Sequence, residues 1–248
     1  MNRIILILLT AILVTTGCKS SKTPVKTTPE VMTTNAGGTG RELTITFNRG
    51  PEHNHPLMAI WVEDTSGNYI QTLYVAKSIA RGVFEHGDNS AGKWMPGEIR
   101  RPAALPVWSH ARGIREEDGL FIPTPETAIP DAYTGPTPQQ DFVLQTRLDK
   151  EQPGGFFLFF EINQTWDWNE YWTNNKLPDN DEYKTSCQPS LVYRTYIDPD
   201  DEKNSYELEL IGRGHEAGEN GRIYTDHRET MTTALEITEK ISVKTHQP

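Results

Sequence analysis

Leu57-Met58-Ala59-Ile60-Trp61-Val62 is followed at once by Glu63-Asp64-Thr65-Ser66-Gly67-Asn68, and then by Tyr69-Ile70-Gln71-Thr72-Leu73-Tyr74-Val75. The first run has the length of a strand rather than a helix, and its unbroken apolar character marks a strand covered on both faces. The middle cluster is turn chemistry, so the three pieces together predict a β-hairpin.

Working outward, period two recurs. Leu43, Ile45 and Phe47 alternate with polar neighbours, and Phe142-Val143-Leu144, Phe156 to Ile162, Leu191 to Ile197 and Tyr206 to Leu210 read as further strands. Leu235, Ile237, Ile241 and Val243 alternate about Glu239 as a last strand. No long amphipathic helical stripe is present. Many short strands separated by Gly, Pro, Asp and Asn predict an all-β chain, an antiparallel β-sandwich over residues 41–246 with long irregular insertions. The stretch from Ser78 to Pro138 is rich in Gly, Pro and charged residues, with Ile99, Leu105, Val107 and Trp108 in no regular period. Segments that long without regular structure are often functional.

At the start, Asn2 and Arg3 precede an apolar run from Ile4 to Val14, which closes on Thr15-Thr16-Gly17-Cys18. This layout resembles a lipoprotein signal peptide spanning residues 1–17, with lipid attachment at Cys18. The run is far short of the ~20 residues of a membrane span. Lys19 to Gly40 is polar and ends in Gly37-Gly38-Thr39-Gly40, so residues 18–40 read as a flexible tether. Lys19-Ser20-Ser21-Lys22 contains no acidic run, and the expectation is a bacterial cell-envelope protein, membrane-anchored through lipid and facing the periplasm.

Removing residues 1–17 leaves 231 residues and moves the formal net charge from −10 to −11, since Arg3 is lost. An acidic chain without a Lys/Arg-rich run is a poor partner for nucleic acid, which needs a basic patch to release counterions. Anionic headgroups repel it too, so attachment has to come from the acyl chains. Of the two cysteines, Cys18 is expected to carry lipid and Cys187 is left alone, as a small half-buried residue rather than a nucleophile.

Pro56-Leu-Met-Ala-Ile-Trp-Val-Glu-Asp64 with Gly67 and Thr72-Leu73, then Leu105-Pro-Val-Trp-Ser109 and Asp131-Ala-Tyr-Thr-Gly-Pro-Thr137, resemble landmarks of the predicted periplasmic family called domain of unknown function 2271. The likeness is best over residues 41–148, and the tail resembles a lipoprotein branch. It implies an immunoglobulin-like sandwich, akin to the one in flagellar hook-cap proteins, and no established activity. Asp131 to Thr137 is also similar to the Asp-x-x-Ser/Thr-Gly-Ala-Ser/Thr signal of flavin transferases, which attach FMN through its phosphate to the last hydroxyl, here Thr137. Members of the resembled family often look like companions of such transferases and of membrane electron-transfer proteins. Pro136 departs from the signal's alanine, removing a donor and fixing φ. The plain reading is a turn before Phe142.

Asn163-Gln-Thr-Trp166-Asp-Trp168-Asn169-Glu170-Tyr-Trp172 crowds rings with amides and acids. Trp166, Trp168, Asn169, Glu170 and Trp172 suit stacking and hydrogen bonding to a sugar or a flavin; equally, the three tryptophans suit covering a sheet face. Metal binding is not expected: His53, His55, His86, His110, His215 and His227 lack Cys pairs or His-x3-His spacing. Asp198-Pro-Asp-Asp-Glu202 has Lys203 where a calcium loop needs glycine, and reads as a solvated turn. Gly212-Arg-Gly-His-Glu216 is a glycine turn, and Ser109-His110 alone makes no triad. The expectation is therefore a lipid-anchored, non-enzymatic binding or accessory module for a small ring-bearing ligand or a partner protein. The alternative is a covalent FMN carrier serving a membrane redox partner.

Overall fold

The computed structural model describes residues 28–246, so the expected signal peptide, Cys18 and the first part of the expected tether lie outside the described residues. The strands are β1 (Glu30–Thr33), β2 (Glu42–Arg49), β3 (Leu57–Asp64), β4 (Tyr69–Ala76), β5 (Val83–Asp88), β6 (Met95–Glu98), β7 (Thr134–Gly135), β8 (Phe142–Arg147), β9 (Phe156–Asn163), β10 (Leu191–Ile197), β11 (Ser205–Glu207), β12 (Glu209–Arg213) and β13 (Thr238–His246). Three short helices are interspersed: α1 (Lys77–Arg81), α2 (Pro106–Ala111) and α3 (Asp181–Ser186).

Two sheets face each other, in strand orders β1-β8-β2-β13-β11 and β12-β10-β9-β3-β4-β7, and β5 and β6 form a separate hairpin. The all-β sandwich expected from the pattern is present. Its pairs are antiparallel except at two edges, where β1 runs parallel to β8 and β7 parallel to β4. Between the sheets lies one core, in which alternate residues of β2 (Leu43, Ile45, Phe47) meet Ile60, Phe160 and Ile162. The Phe47 ring stacks on Phe142 at 4.9 Å and on Phe160 at 5.7 Å between centroids. At the hairpin, Asp64 accepts from the Ser66 and Asn68 N–H groups, and Gly67 takes the left-handed conformation the turn demands.

The six residues Leu57–Val62 are all buried, as a doubly covered strand requires. Their second cover is the aperiodic stretch. Ile79, Ala80, Ala104, Leu105, Val107, Trp108 and Ile122 close a second core over Leu57, Ala59, Trp61 and Phe159. Trp61 and Phe159 stack there at 4.9 Å, and the Trp108 indole N–H donates to the Thr72 hydroxyl at 2.9 Å.

Three expectations need correction. The segment read as tether up to residue 40 contributes β1, whose pairing with β8 uses backbone groups that any sequence supplies. Tyr206 to Leu210 is two strands, β11 in one sheet and β12 in the other, with the chain changing sheets at buried Leu208. Leu235 and Ile237 precede the last strand: residues Thr233–Glu236 form a 3-10 turn and β13 starts at Thr238.

Candidate functional site

Strand pairing brings most long connections to one end of the sandwich. The end of β9 pairs with the start of β3 (Asn163 with Leu57), and the end of β4 lies against that start too (Val75 with Ala59). The end of β12 pairs with the start of β10, and the end of β2 with the starts of β8 and β13. Residues 50–56, 136–141, 164–190 and 214–237 therefore emerge together, as loops of a sandwich do. One hydrogen bond joins the first to the third. The Asn54 N–H donates to the Gln164 side-chain oxygen at 2.8 Å.

In this loop cluster the aromatic segment divides. Trp166 and Trp168 are each 55% exposed, Tyr171 is 38% exposed, and Glu170 is exposed beside them. Trp172 is buried at 2%, its indole N–H donating to the Thr230 hydroxyl at 2.9 Å and its ring 5.5 Å from the Arg213 guanidinium. As a ligand contact Trp172 is thus corrected: it is core. Asn169 is also committed internally. Its side-chain oxygen accepts from the Tyr171 and Trp172 N–H groups, and its amide donates to the Thr230 carbonyl and the Thr232 hydroxyl. Asn169 therefore shapes the turn that presents the rings.

The backbone beneath the two exposed tryptophans is fixed. The Trp166 N–H donates to Thr185 O at 3.0 Å and the Asp167 N–H to Ser186 O at 3.1 Å, while Gln188 N–H returns to Asp167 O at 3.0 Å. The Asp167 carboxylate turns inward and accepts from the Thr233 hydroxyl. Burial holds its pKa above the ordinary carboxylate range, against the Thr233 and Gln188 bonds that pull it down. Trp166 has φ 61°, Cys187 φ 67° and His227 φ 56°, three of the five non-glycine residues with positive φ among the described residues. For a bulky residue this conformation is strained, and such strain gathers at functional sites. Cys187 is fully buried rather than half-buried, and burial pushes its thiol up to about 11, so it stays protonated and inert.

Thr137 is half-buried just past β7. The segment before it is built into the sheet edge rather than standing free. Asp131 pairs with Arg81 at 2.6 Å, Thr134–Gly135 line β4, and the Tyr74 hydroxyl donates to Pro136 O at 2.7 Å. Through β4 and β3, Thr137 and the aromatic segment leave the same end of one sheet, three strand spacings or ~14 Å apart.

Ser109 is buried and donates to Pro106 O, so it is not poised as a nucleophile. Among the described residues, no three His, Cys, Asp or Glu side chains group to hold a metal, and no helix is long and apolar enough to cross a membrane.

One residue escaped the sequence reading. Glu161 is fully buried in β9, accepting from the Val107 N–H at 3.2 Å, the Trp108 N–H at 2.7 Å and the Ser190 hydroxyl at 2.6 Å. Burial pushes it up to about 7, against those three donors. The available signal was a single charge inside Phe156-Phe-Leu-Phe-Phe-Glu-Ile162. Compared with known proteins, the chain matches no protein-family model and no curated protein.

Proposed function

We propose that this protein is a lipid-anchored binding module of the cell envelope, acting through bound ligands rather than as an enzyme, and that Trp166 and Trp168 grip a small ring-bearing molecule. The observation that carries this reading is the pair of half-exposed indoles flanking an inward-turned Asp167 on strained, hydrogen-bonded backbone. Exposing two large rings has a solvation cost, and holding them rigid lowers the entropy lost when a ligand stacks on them. Glu170 and Tyr171 at the rim supply polar contacts.

Titrating the intrinsic fluorescence of the full-length chain in detergent with oligosaccharides and flavins tests it. Binding should shift the emission and weaken about tenfold in Trp168→Ala. Trp166→Gly relieves the left-handed strain, so it removes a ring while keeping the fold. A spectrum unmoved by every ligand, or ligand binding indifferent to both substitutions, would overturn the reading.

A second reading, a carrier of FMN on Thr137, is favoured by one fact: Thr137 leaves the sheet at the same end as the two exposed indoles. A ring tethered there would stand at the end of the sheet from which the strand leading to those indoles also emerges.

A further inference from the structure

A cleft of about 250 Å³ opens between the loop that follows α2 and the glycine turn around Gly218. One wall is a ring pair: His110 stacks on Phe121 at 4.1 Å between centroids and 28° between planes. His110 Nδ1 donates to Pro106 O at 2.8 Å. A carbonyl only accepts, so the proton sits on Nδ1, and Nε2 has no partner among the described residues. On the same side, Arg115 makes no ion pair among the described residues. Its Nε donates to Gly119 O at 3.1 Å, and Gly119, at φ 91°, leaves room for the guanidinium over the turn. Glu219 lines the other side of the cleft with an exposed carboxylate, one oxygen of which lies 3.7 Å from His215 Nε2.

Both walls are set by Glu161. It accepts the first N–H groups of α2, the helix that carries Ser109 and His110. It also accepts the Ser190 hydroxyl, and the Ser190 carbonyl receives the Gly214 N–H at the head of the opposite turn. Gly214 packs so closely on Ser190, Pro106 and Glu161 that a Cβ would collide there. A buried carboxylate without a cationic partner is costly, and its expense falls where two walls must keep their spacing.

We propose that this cleft binds one free amino acid as its zwitterion: carboxylate on Arg115, ammonium on Glu219 and the His110 Nε2 lone pair, side chain against the His110–Phe121 rings. Opposite charges on opposite walls decide the class, because a simple anion meets Glu219 and a simple cation meets Arg115. The volume lies below the ~300–1,000 Å³ of drug-sized sites and suits a ligand the size of one amino acid.

Isothermal titration of the full-length chain in detergent with L-phenylalanine, N-acetyl-phenylalanine and phenylalanine amide tests the proposal. L-Phenylalanine should bind, and blocking either charge should weaken it about tenfold or more. Arg115→Gln and Glu219→Gln, both at exposed positions, should do the same, while Trp168→Ala should leave this binding unchanged. That last variant separates the cleft from the aromatic end, so each reading fails on its own evidence. No heat with L-phenylalanine, L-leucine or L-glutamine up to about 10 mM would overturn the proposal. So would N-acetyl-phenylalanine binding as well as the free amino acid, or both charge variants binding as the parent does.

Discussion

Glu161 occupies the one position in β9 where a charge interrupts the rings, and its surroundings contribute donors only. Two physical effects oppose each other there. Burial disfavours the carboxylate, and three hydrogen bonds favour it; the first wins and raises the group to about 7. Between the ordinary 4.5 and 7 the folded chain then holds more protons than the unfolded chain. Stability contributed by this group is therefore full below pH 4.5, falls as pH rises to 7 and is flat above, a span of about 3 kcal/mol. Urea unfolding at pH 5 and pH 8 should show the decline, and Glu161→Gln should abolish its share of it. Glu161→Leu leaves two N–H groups and a hydroxyl buried without partners, a loss of about 3 kcal/mol or more at either pH. A pH slope identical in parent and Gln variant would refute this account. From sequence alone Glu161 is visible as an anomaly and no more, because its donors lie 29 and more residues away.

At the scale of elements, legibility followed burial. Strands β2 and β8 bury alternate residues, and the period is written in them; β3 buries every residue of its apolar run, and the run is unbroken. β1 was illegible because none of its four residues is fully buried: backbone pairing with β8 and the half-buried Met32 against the core hold it. The stretch read as irregular was illegible for a different reason. It covers a flat apolar face with side chains taken one or two at a time from the short helices α1 and α2 and the loops between them, each too short to show a period, so none links Ile79, Leu105, Trp108 and Ile122. The aromatic segment mixes both cases, since Trp172 caps the core while Trp166 and Trp168 face out, and spacing does not distinguish them. The cover can be tested with two tryptophans. Trp108 is buried against Trp61, Thr72 and the α2 turn, whereas Trp94, beside the β5–β6 hairpin, is 62% exposed. Trp108→Ala should cost about 3–5 kcal/mol in urea unfolding and Trp94→Ala less than about 0.5 kcal/mol. Equal losses would mean that the stretch is not a second core.

For the whole molecule, the direction of β1 matters most. Glu30 pairs with Phe142, and Phe142 pairs with Phe47 near the end of β2, so the chain enters the sandwich at the end that carries the loop cluster. With lipid on Cys18, the twelve residue steps to Glu30 reach at most about 40 Å. The binding end would then work close to a bilayer that the acidic domain itself has no charge to hold. Intact-mass measurement on chain extracted from membranes should show loss of residues 1–17 and a gain of acyl mass, and Cys18→Ala should leave the chain unprocessed or released. If the alanine variant still partitions with membranes at the parent's level, the anchor is elsewhere and the 40 Å limit falls with it. The same spectrum reads Thr137: one FMN added in the presence of a flavin transferase, lost in Thr137→Ala and kept in Thr134→Ala, would make the exposed indoles a resting place for the chain's own flavin. An unmodified mass under those conditions leaves them free for a ligand that arrives from solution, and identifies Pro136, its carbonyl held by Tyr74, as the obstacle to attachment.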